Sequence, residues 1–310
     1  NQPAVPAEYA LFLQSQLKTA YPVDTAPYPI MGYRGSRIEY LLDATPRHSF
    51  DTFAQIQFDA TTPELAAALR ALLERGQAPE GDARRILMAW DGGFEADNPG
   101  AVLAGLFVER LCANVFADDV GPTVDLSPDM VTVRRLELLA QAPGAAPFWD
   151  DQSTEMIEGA PAMVQRSLEE AWSLAVETFG DDPEAWQWGQ LHQAAFRNGF
   201  LGKSGIARIE DWVNRVGLPA PGAFATVNAA RHKNVDGIYE IRTLPAYRRI
   251  VDLGDFGKSM AVNSTGQSGH PGSPHYDDQL PLWLAGEYRP VLWSREQVEA
   301  GAVHRLTLNP

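Results

Sequence analysis

The sequence contains a single cysteine, Cys112, among 310 residues, so no disulfide can form within the chain. Basic residues are also scarce: 25 lysines and arginines stand against 40 aspartates and glutamates, a formal net charge of −15. Such a chain repels phosphate backbones and anionic lipid surfaces. No uninterrupted apolar run approaches the roughly 18–20 residues that span a bilayer, and no basic-then-apolar signal segment opens the chain. We therefore expect no nucleic-acid partner and no membrane partner.

What is present favours a folded protein with a sizeable core. Hydrophobic residues make up 45% of the chain, and the length favours about two domains. The chain begins with Asn1 rather than methionine, so we expect a start that is processed, excised or truncated. Sequence patterns predict three regions: residues 1–33 as one segment of a layered sandwich, residues 34–195 as mostly helical, and residues 196–310 as the carboxy-terminal strands and helices of that sandwich.

Helix signals follow one another in the middle region. In TTPELAAALRALLERG, Thr62 is a candidate N-cap, Pro63 suits the first helical position and Gly76 closes the helix. A polar cap followed by proline also predicts helices that start after Asn98 and Ser127. A fourth helix is predicted over PAMVQRSLEEAWSLAVETFG, where apolar residues recur at helical spacing.

After Gly222 the pattern changes to that of strands. FATVNAARH, YRRIVDL and SMAVNST are rich in β-branched and aromatic residues, and the loop GDFGK joins the last two as a predicted hairpin. The end, REQVEAGAVHRLTLNP, predicts a short helix and then a strand. Only two residues separate the glycines of GDFGKS, too few for a phosphate-binding loop, so nucleotide binding is not expected.

The stretch TGQSGHPGSPHYDDQLPLWL holds side chains of the kinds that bind metals or perform catalysis. Its histidines and aspartates lack the spacing of a helical metal motif. The interpretation that we favour is a helix start, with Ser273 as N-cap, Pro274 at the first position and the aspartates in the first turn. Pro281 would then bend that helix. The residues in question are His270, His275, Asp277 and Asp278. Outside this stretch, His192 and Cys112 are predicted as core residues.

Five segments carry a family resemblance, in matching order along essentially the whole chain. STGQSGHPGSPHYDDQLPLWLAGEYRPVLWSREQV resembles the carboxy-terminal signature of the penicillin acylase family of N-terminal-nucleophile hydrolases. The other four are similar to the family's Trp-Asp-Gly element, its Trp-Gly-x-x-His segment, its arginine-rich helix start and its Asn-Asn-x-x-x-Pro-x-x-Tyr stretch. They read, in that order, AWDGGFEADNPGAVLAGLFVERL, ETFGDDPEAWQWGQLHQAAF, YRGSRIEYLL and NQPAVPAEY, the last with Gln2 in place of the second asparagine.

The resemblance implies a fold and an activity. The fold is α+β, a four-layer αββα sandwich with a large helical insertion. The activity is hydrolysis of the amide in N-acyl compounds such as β-lactams or acyl-homoserine lactones, in the periplasm or outside the cell. Such enzymes arise from a precursor that cuts itself into a small (alpha) and a large (beta) subunit, and the amino-terminal serine of the large subunit is the nucleophile. No cofactor is implied.

The resemblance also implies roles for two residues of this chain. The family's oxyanion-hole asparagine falls on Asn1, and its active-site arginine falls on Arg34. A neutral side-chain amide suits the first role, because it donates to a developing oxyanion without bringing a charge. A guanidinium suits the second, because its fork can hold the asparagine and nearby backbone or meet a polar end of the substrate. Taken alone, Arg34 could equally be a surface arginine at a helix start.

Two departures from the family pattern matter. The amino-terminal serine is absent, so the resemblance makes this chain the carboxy-terminal part of a large subunit, inactive alone, with the serine-bearing segment and the small subunit as partners. The aspartate that helps some members hold calcium is Phe12 here, so we expect no metal through this segment. The alternative is a non-catalytic binding or scaffold module of the same fold. A hydrolase with its own internal serine is disfavoured because no Gly-x-Ser-x-Gly elbow is present.

Overall fold

The computed structural model describes residues 33–120, 126, 136 and 146–308, and within these ranges the chain is a mixture of helices and sheets. The helices are α1 (Tyr33–Asp43), α2 (Phe50–Phe58), α3 (Pro63–Arg75), α4 (Asp82–Ala89), α5 (Pro99–Val120), α6 (Ala160–Phe179), α7 (Trp188–Leu191), α8 (Ala207–Val213), α9 (Leu280–Ala285) and α10 (Arg295–Gly301). The strands are β1 (His192–Phe196), β2 (Arg215–Pro219), β3 (Arg231–Val235), β4 (Ile238–Thr243), β5 (Tyr247–Ile250), β6 (Met260–Asn263) and β7 (Arg289–Pro290).

These elements form two compact units. The first consists of described residues within Asn1–Thr45, Asp59–Ala195 and Val216–Leu244, and the second of those within Pro46–Phe58, Phe196–Arg215 and Pro245–Pro310. The three-region division proposed from the sequence stays a prediction.

The first unit is built around α5, which is buried on nearly every side. Residues from Ala101 to Ala104 are wholly buried, as are Phe107, Leu111 and Cys112 further along the helix. Helices α3, α4 and α6 pack against it, because each carries an apolar stripe that faces the same core. The predicted burial of Cys112 is confirmed.

Helix α5 is also long and apolar enough, by length and composition, to cross a membrane, the one helix among the described residues with that property. Most of its apolar stretch is buried inside the protein, which is the usual environment of the core helix of a folded domain. Glu109 and Arg110 interrupt the stretch, so it is not a continuous apolar run.

A polar link also joins α5 to α6. The Asn114 side-chain amide donates to Ser167 Oγ at 3.0 Å and to Glu170 Oε2 at 2.9 Å. In return, Arg166 Nη2 donates to Asn114 Oδ1 at 3.2 Å. Directional bonds of this kind fix the register of two helices whose apolar contacts alone would tolerate sliding.

The local signals read from the sequence set the helix starts. Pro63 and Pro99 begin their helices as predicted, and Asn98 caps α5 by accepting the Ala101 N–H at 3.1 Å. The capping role predicted for Thr62 is wrong, because its side chain makes no cap bond and is buried. Gly76 ends α3 for a packing reason, since a Cβ there would lie 2.6 Å from Val164 on α6.

A four-stranded sheet in the order β2-β1-β4-β3 lies beside this helical core. Strands β1 and β4 run parallel, with His192 opposite Tyr239, whereas β3 and β4 form an antiparallel hairpin. The hairpin turns at Asp236 and Gly237, which both have positive φ, as tight two-residue hairpin turns require. The strand predicted over residues 224–232 is wrong for most of its length, because residues 223–230 form turns and only the last two residues enter β3.

The second unit contains the three-stranded sheet β5-β6-β7. The predicted hairpin between β5 and β6 is confirmed, with a 3₁₀ turn over Phe256–Lys258 inside its loop. Arg248 of β5 is buried between the rings of Phe58 and Trp283, 5.1 and 4.7 Å from the ring centroids, and donates to the Trp283 carbonyl at 2.8 Å. Burial lowers the pKa of Arg248 to about 10, so it remains a cation at neutral pH. Helix α10 is confirmed, but the strand predicted after it does not form over residues 302–308.

We expect Gly105→Ala to destabilise the chain although alanine is the better helix former. A Cβ at position 105 would lie 2.7 Å from the ring of Trp188, which is wholly buried. Overpacking of about 1–3 kcal/mol should outweigh the helix-propensity gain of about 1 kcal/mol. The measurement is the midpoint of urea unfolding. Gly199→Ala is the control, since open space surrounds that position. Equal or higher stability of Gly105→Ala would contradict this packing.

Candidate functional site

The first unit has a central junction where backbone hydrogen bonds join three separate chain segments, residues 59–62, 92–94 and 222–230. Gly92 lies in it with φ +98, a conformation that favours glycine, and its Cα closely approaches the Thr62 carbonyl, so that a Cβ would clash with it. The bonds run from the N–H of Thr62 to Gly92 O (2.9 Å), of Phe94 to Ala60 O (3.0 Å), of Gly222 to Phe94 O (2.8 Å) and of Asn228 to Asp59 O (2.9 Å).

Arg34, the arginine singled out from the sequence, lies in the first turn of α1 and is half-buried. Asn1, the predicted oxyanion residue, lies outside the described residues, as does Phe12. The structure therefore places one of the two predicted site residues, and their mutual geometry stays a prediction.

A second arginine in the same motif was not singled out from the sequence. Arg37, three residues after Arg34, donates through Nε and Nη2 to the two carboxylate oxygens of Asp59, at 3.1 and 2.7 Å. The side chains of Arg37 and Asp59 are only 17% and 12% exposed. The hydrogen bond from Arg37 to Asp59 raises the pKa of Arg37 above its ordinary value. A bidentate, mostly buried pair of this kind fixes geometry as well as charge.

A buried aromatic cluster surrounds His192 of β1. The imidazole stacks on Trp188 at 4.7 Å, and its ring centroid lies 5.3 Å from that of His232. His192 Nδ1 lies 2.8 Å from the Ala220 carbonyl oxygen, and Nε2 lies 3.2 Å from that of Ala230. Burial lowers the pKa of His192 to about 4, although both carbonyls favour the cation. His192 is thus neutral at physiological pH, wholly buried, and a core residue as predicted.

His232 and Tyr239 extend this cluster. Their rings stack at 4.2 Å, nearly parallel, on adjacent strands. Neither His232 Nδ1 nor the Tyr239 hydroxyl has a hydrogen-bond partner among the described residues. Burial is the main cause that lowers the pKa of His232 well below its ordinary value, and nearby His192 and Arg231 add to it. Burial likewise raises the pKa of Tyr239, to which the negative charge of Glu109 contributes. Such deeply enclosed groups stabilise the core and do not face a substrate.

The stretch from Thr265 to Leu284 is mostly a series of turns. The helix predicted to start at Ser273 and Pro274 is wrong, since α9 begins at Leu280 and places Pro281 in its first turn, where proline is tolerated. Pro281 therefore bends no helix.

The polar groups of that stretch bind one another or nearby residues. Asp277 pairs with Arg215, and His275 Nδ1 lies 2.9 Å from Asp278 Oδ2 in a largely exposed pair. Across the part of the chain that the structure describes, no three histidine, cysteine or carboxylate residues converge as a metal site would require.

Comparison with known proteins identifies the family. The sequence profile of the penicillin amidase family matches residues 1–300, nearly the whole chain. The chain belongs to the penicillin amidase family. The resemblance read from the five motifs is thereby confirmed, and with it the α+β class and the N-terminal-nucleophile hydrolase fold.

Individual relatives extend this result. An acyl-homoserine lactone acylase, QuiP, of Pseudomonas aeruginosa is 31% identical over 309 residues, which cover 89% of this chain and 36% of the relative. The penicillin acylase 2 proenzyme of Pseudomonas sp. strain SE83 is 29% identical over 90% of this chain and 35% of its own length. A solved structure of a thermostable penicillin G acylase from Alcaligenes faecalis is 17% identical, with a TM-score of 0.46 over 89% of this chain and 52% of that one. The present chain thus spans about a third of the length of these curated penicillin amidase relatives.

We expect the buried histidines to make the chain acid-sensitive. Both have folded-state pKa values below the ordinary 6.5, so as the pH falls below about 6.5 the unfolded chain gains protons that the folded chain cannot. Each histidine should reduce the free energy of unfolding by about 2 kcal/mol between pH 7 and pH 5.

His232→Phe should remove the share of His232 and leave the stability at pH 7 little changed, because a phenyl ring can keep the stack on Tyr239 without an unpaired nitrogen. The measurement is urea unfolding at pH 7 and pH 5. His304→Gln, at an exposed position, serves as the control. An undiminished loss of stability in His232→Phe would contradict the assignment.

Proposed function

We propose that this chain is the carboxy-terminal part of the large subunit of an amidohydrolase that removes acyl groups from N-acyl compounds. The observation that carries the proposal is the family match over residues 1–300. Relatives named as acylases support it, among them the Pseudomonas aeruginosa protein at 31% identity. The nucleophile belongs to a serine-bearing segment that this chain does not contain.

The proposed mechanism is acyl transfer to an amino-terminal serine. The serine hydroxyl oxygen attacks the amide carbonyl carbon, and the free α-amine, directly or through a water, takes the hydroxyl proton. The C–N bond of the amide breaks as the amine product receives that proton. Water then attacks the resulting ester, which releases the carboxylic acid and regenerates the serine.

Two residues of this chain would assist that reaction. The Asn1 side-chain amide would donate to the oxyanion of each tetrahedral intermediate, and removal of one such donor typically slows the reaction by about 100- to 1,000-fold. Arg34 would hold Asn1 and nearby backbone or meet a polar end of the substrate, which its half-buried position at the start of α1 is compatible with.

Acyl-homoserine lactones are the substrates that we propose first. Several of the relatives at about 30% identity bear the name acyl-homoserine lactone acylase, and one bears the name penicillin acylase. Both substrate classes present an amide that joins an apolar acyl group to a compact ring. The proposed partners are the serine-bearing segment and the small subunit, and the proposed location is the periplasm or the exterior of the cell.

The test is activity of the assembly formed when the serine-bearing segment and small subunit are produced together with this chain. We expect release of homoserine lactone from an N-acyl-homoserine lactone, and intact-mass analysis should find a second polypeptide that begins with serine. No hydrolysis of acyl-homoserine lactones or penicillin G by such a correctly processed assembly would contradict the proposal and favour the scaffold alternative.

Variants of the two residues refine this test. Asn1→Ala should lower kcat by about 100- to 1,000-fold, and Asn1→Asp by at least as much, because a carboxylate cannot donate to an oxyanion. Arg34→Lys keeps the charge but loses the fork, and should cost about tenfold or more. Arg208→Gln, on an exposed face of α8, is the control and should be unchanged. Full activity in Asn1→Ala would contradict the oxyanion role.

A further inference from the structure

Helix α1 carries little apolar anchoring among the described residues. Of its 11 residues, Tyr33 is the buried one, and the others are half-buried or exposed. A helix with so small a buried face is held weakly by hydrophobic burial, since that stabilisation grows with the apolar area removed from water. Its orientation must depend on other contacts.

The pair between Arg37 and Asp59 supplies such a contact. Two parallel N–H···O bonds, of 3.1 and 2.7 Å, fix both the distance and the plane of the guanidinium. Glu64 adds a second negative charge that favours the cationic form of Arg37. With side chains 17% and 12% exposed, the pair is shielded from most of the solvent screening that weakens surface ion pairs.

Asp59 is itself fixed to the centre of the first unit. Its Oδ1 also accepts the Thr61 N–H at 3.3 Å, and its carbonyl accepts the Asn228 N–H at 2.9 Å. The neighbouring residue, Ala60, bonds to Phe94 within the same junction. A contact with Asp59 therefore ties α1 to the junction of three chain segments.

Arg34 and Arg37 lie three residues apart, and residues at that spacing lie on the same side of a helix, about one turn apart. Whatever fixes the rotation of α1 about its axis at Arg37 therefore fixes the direction in which Arg34 projects. A rotation of the helix by one residue would turn Arg34 by about 100°.

We infer that Arg37 and Asp59 form a clamp that positions Arg34 for the acylase reaction. Arg37 is then a positioning residue, since its Nε and Nη2 are occupied by Asp59 and its charge is matched by that carboxylate. Arg34 is the arginine that acts at the site. The inference rests on the proposed function for the role of Arg34, but the anchoring of α1 can be tested without it.

Amide hydrogen exchange tests the anchoring on the processed assembly. In Arg37→Gln and in Asp59→Asn, peptides that cover residues 33–43 should exchange at least threefold faster than in the wild type. Arg85→Gln is the matched control, because Arg85 and Asp82 form an exposed i,i+3 pair in the same unit, with side chains 66% and 65% exposed. Unchanged exchange over residues 33–43 in both clamp variants would overturn the inference.

Kinetics test the positioning role. With kcat expressed per titrated amino-terminal serine, Arg37→Gln and Asp59→Asn should each lose about tenfold, and the double variant should lose no more than either single one, as expected for residues that act as a pair. Arg37→Lys should recover only part of the loss, because it lacks the fork. A purely structural role would lower the amount of active enzyme and leave kcat per active serine unchanged, and that outcome would also overturn the inference.

The two proposals fail differently. A wild-type assembly without acylase activity contradicts the proposed function and with it the kinetic part of this inference, while the exchange experiment still decides whether the clamp holds α1. An active wild type with clamp variants of normal kcat contradicts the inference alone.

Discussion

Burial of α5 on nearly all sides is the constraint on which the first unit depends. A helix that is apolar around its whole circumference must be enclosed, so neighbouring elements have to supply apolar surface in several directions. Helices α3, α4 and α6 supply it on the helical side. On the side of the sheet, small residues of α5 allow close approach: at Gly105 the ring of Trp188 fills the place of a side chain, and Tyr239 of β4 packs nearby.

Enclosure of α5 also decides what the buried polar groups can do. His192 lies against backbone carbonyls, and His232 lies against aromatic rings, in a region without space for a substrate. Their low pKa values reflect the cost of a charge in that region and not tuning for proton transfer. Perturbed pKa values often mark functional sites, but here the geometry assigns them to the core. Chemistry in this chain is therefore sought where charged groups lie nearer the surface, as at α1.

Local signals explain which elements the sequence predicted correctly. The starts of α3 and α5 follow from proline and, for α5, from the Asn98 cap, and every helical hydrogen bond is made within a few residues. Strand β1 was missed because it pairs in parallel with β4, about 45 residues away, and no local feature reports such a partner. The hairpin between β3 and β4 had a local signal, the Asp236-Gly237 turn, that a search for turn dipeptides would have found.

The candidate site divides along the same line. The motif YRGSR contains two arginines on one side of one helix, and the family resemblance drew attention to Arg34. Which of the two is engaged by a carboxylate depends on Asp59, whose closeness results from folding and not from spacing in the sequence. An arginine held by two bonds to a buried carboxylate brings little net charge to a substrate, whereas it can fix a helix. The structure thus separates two residues that the sequence leaves equivalent, because the pairing that distinguishes them exists only in the folded chain.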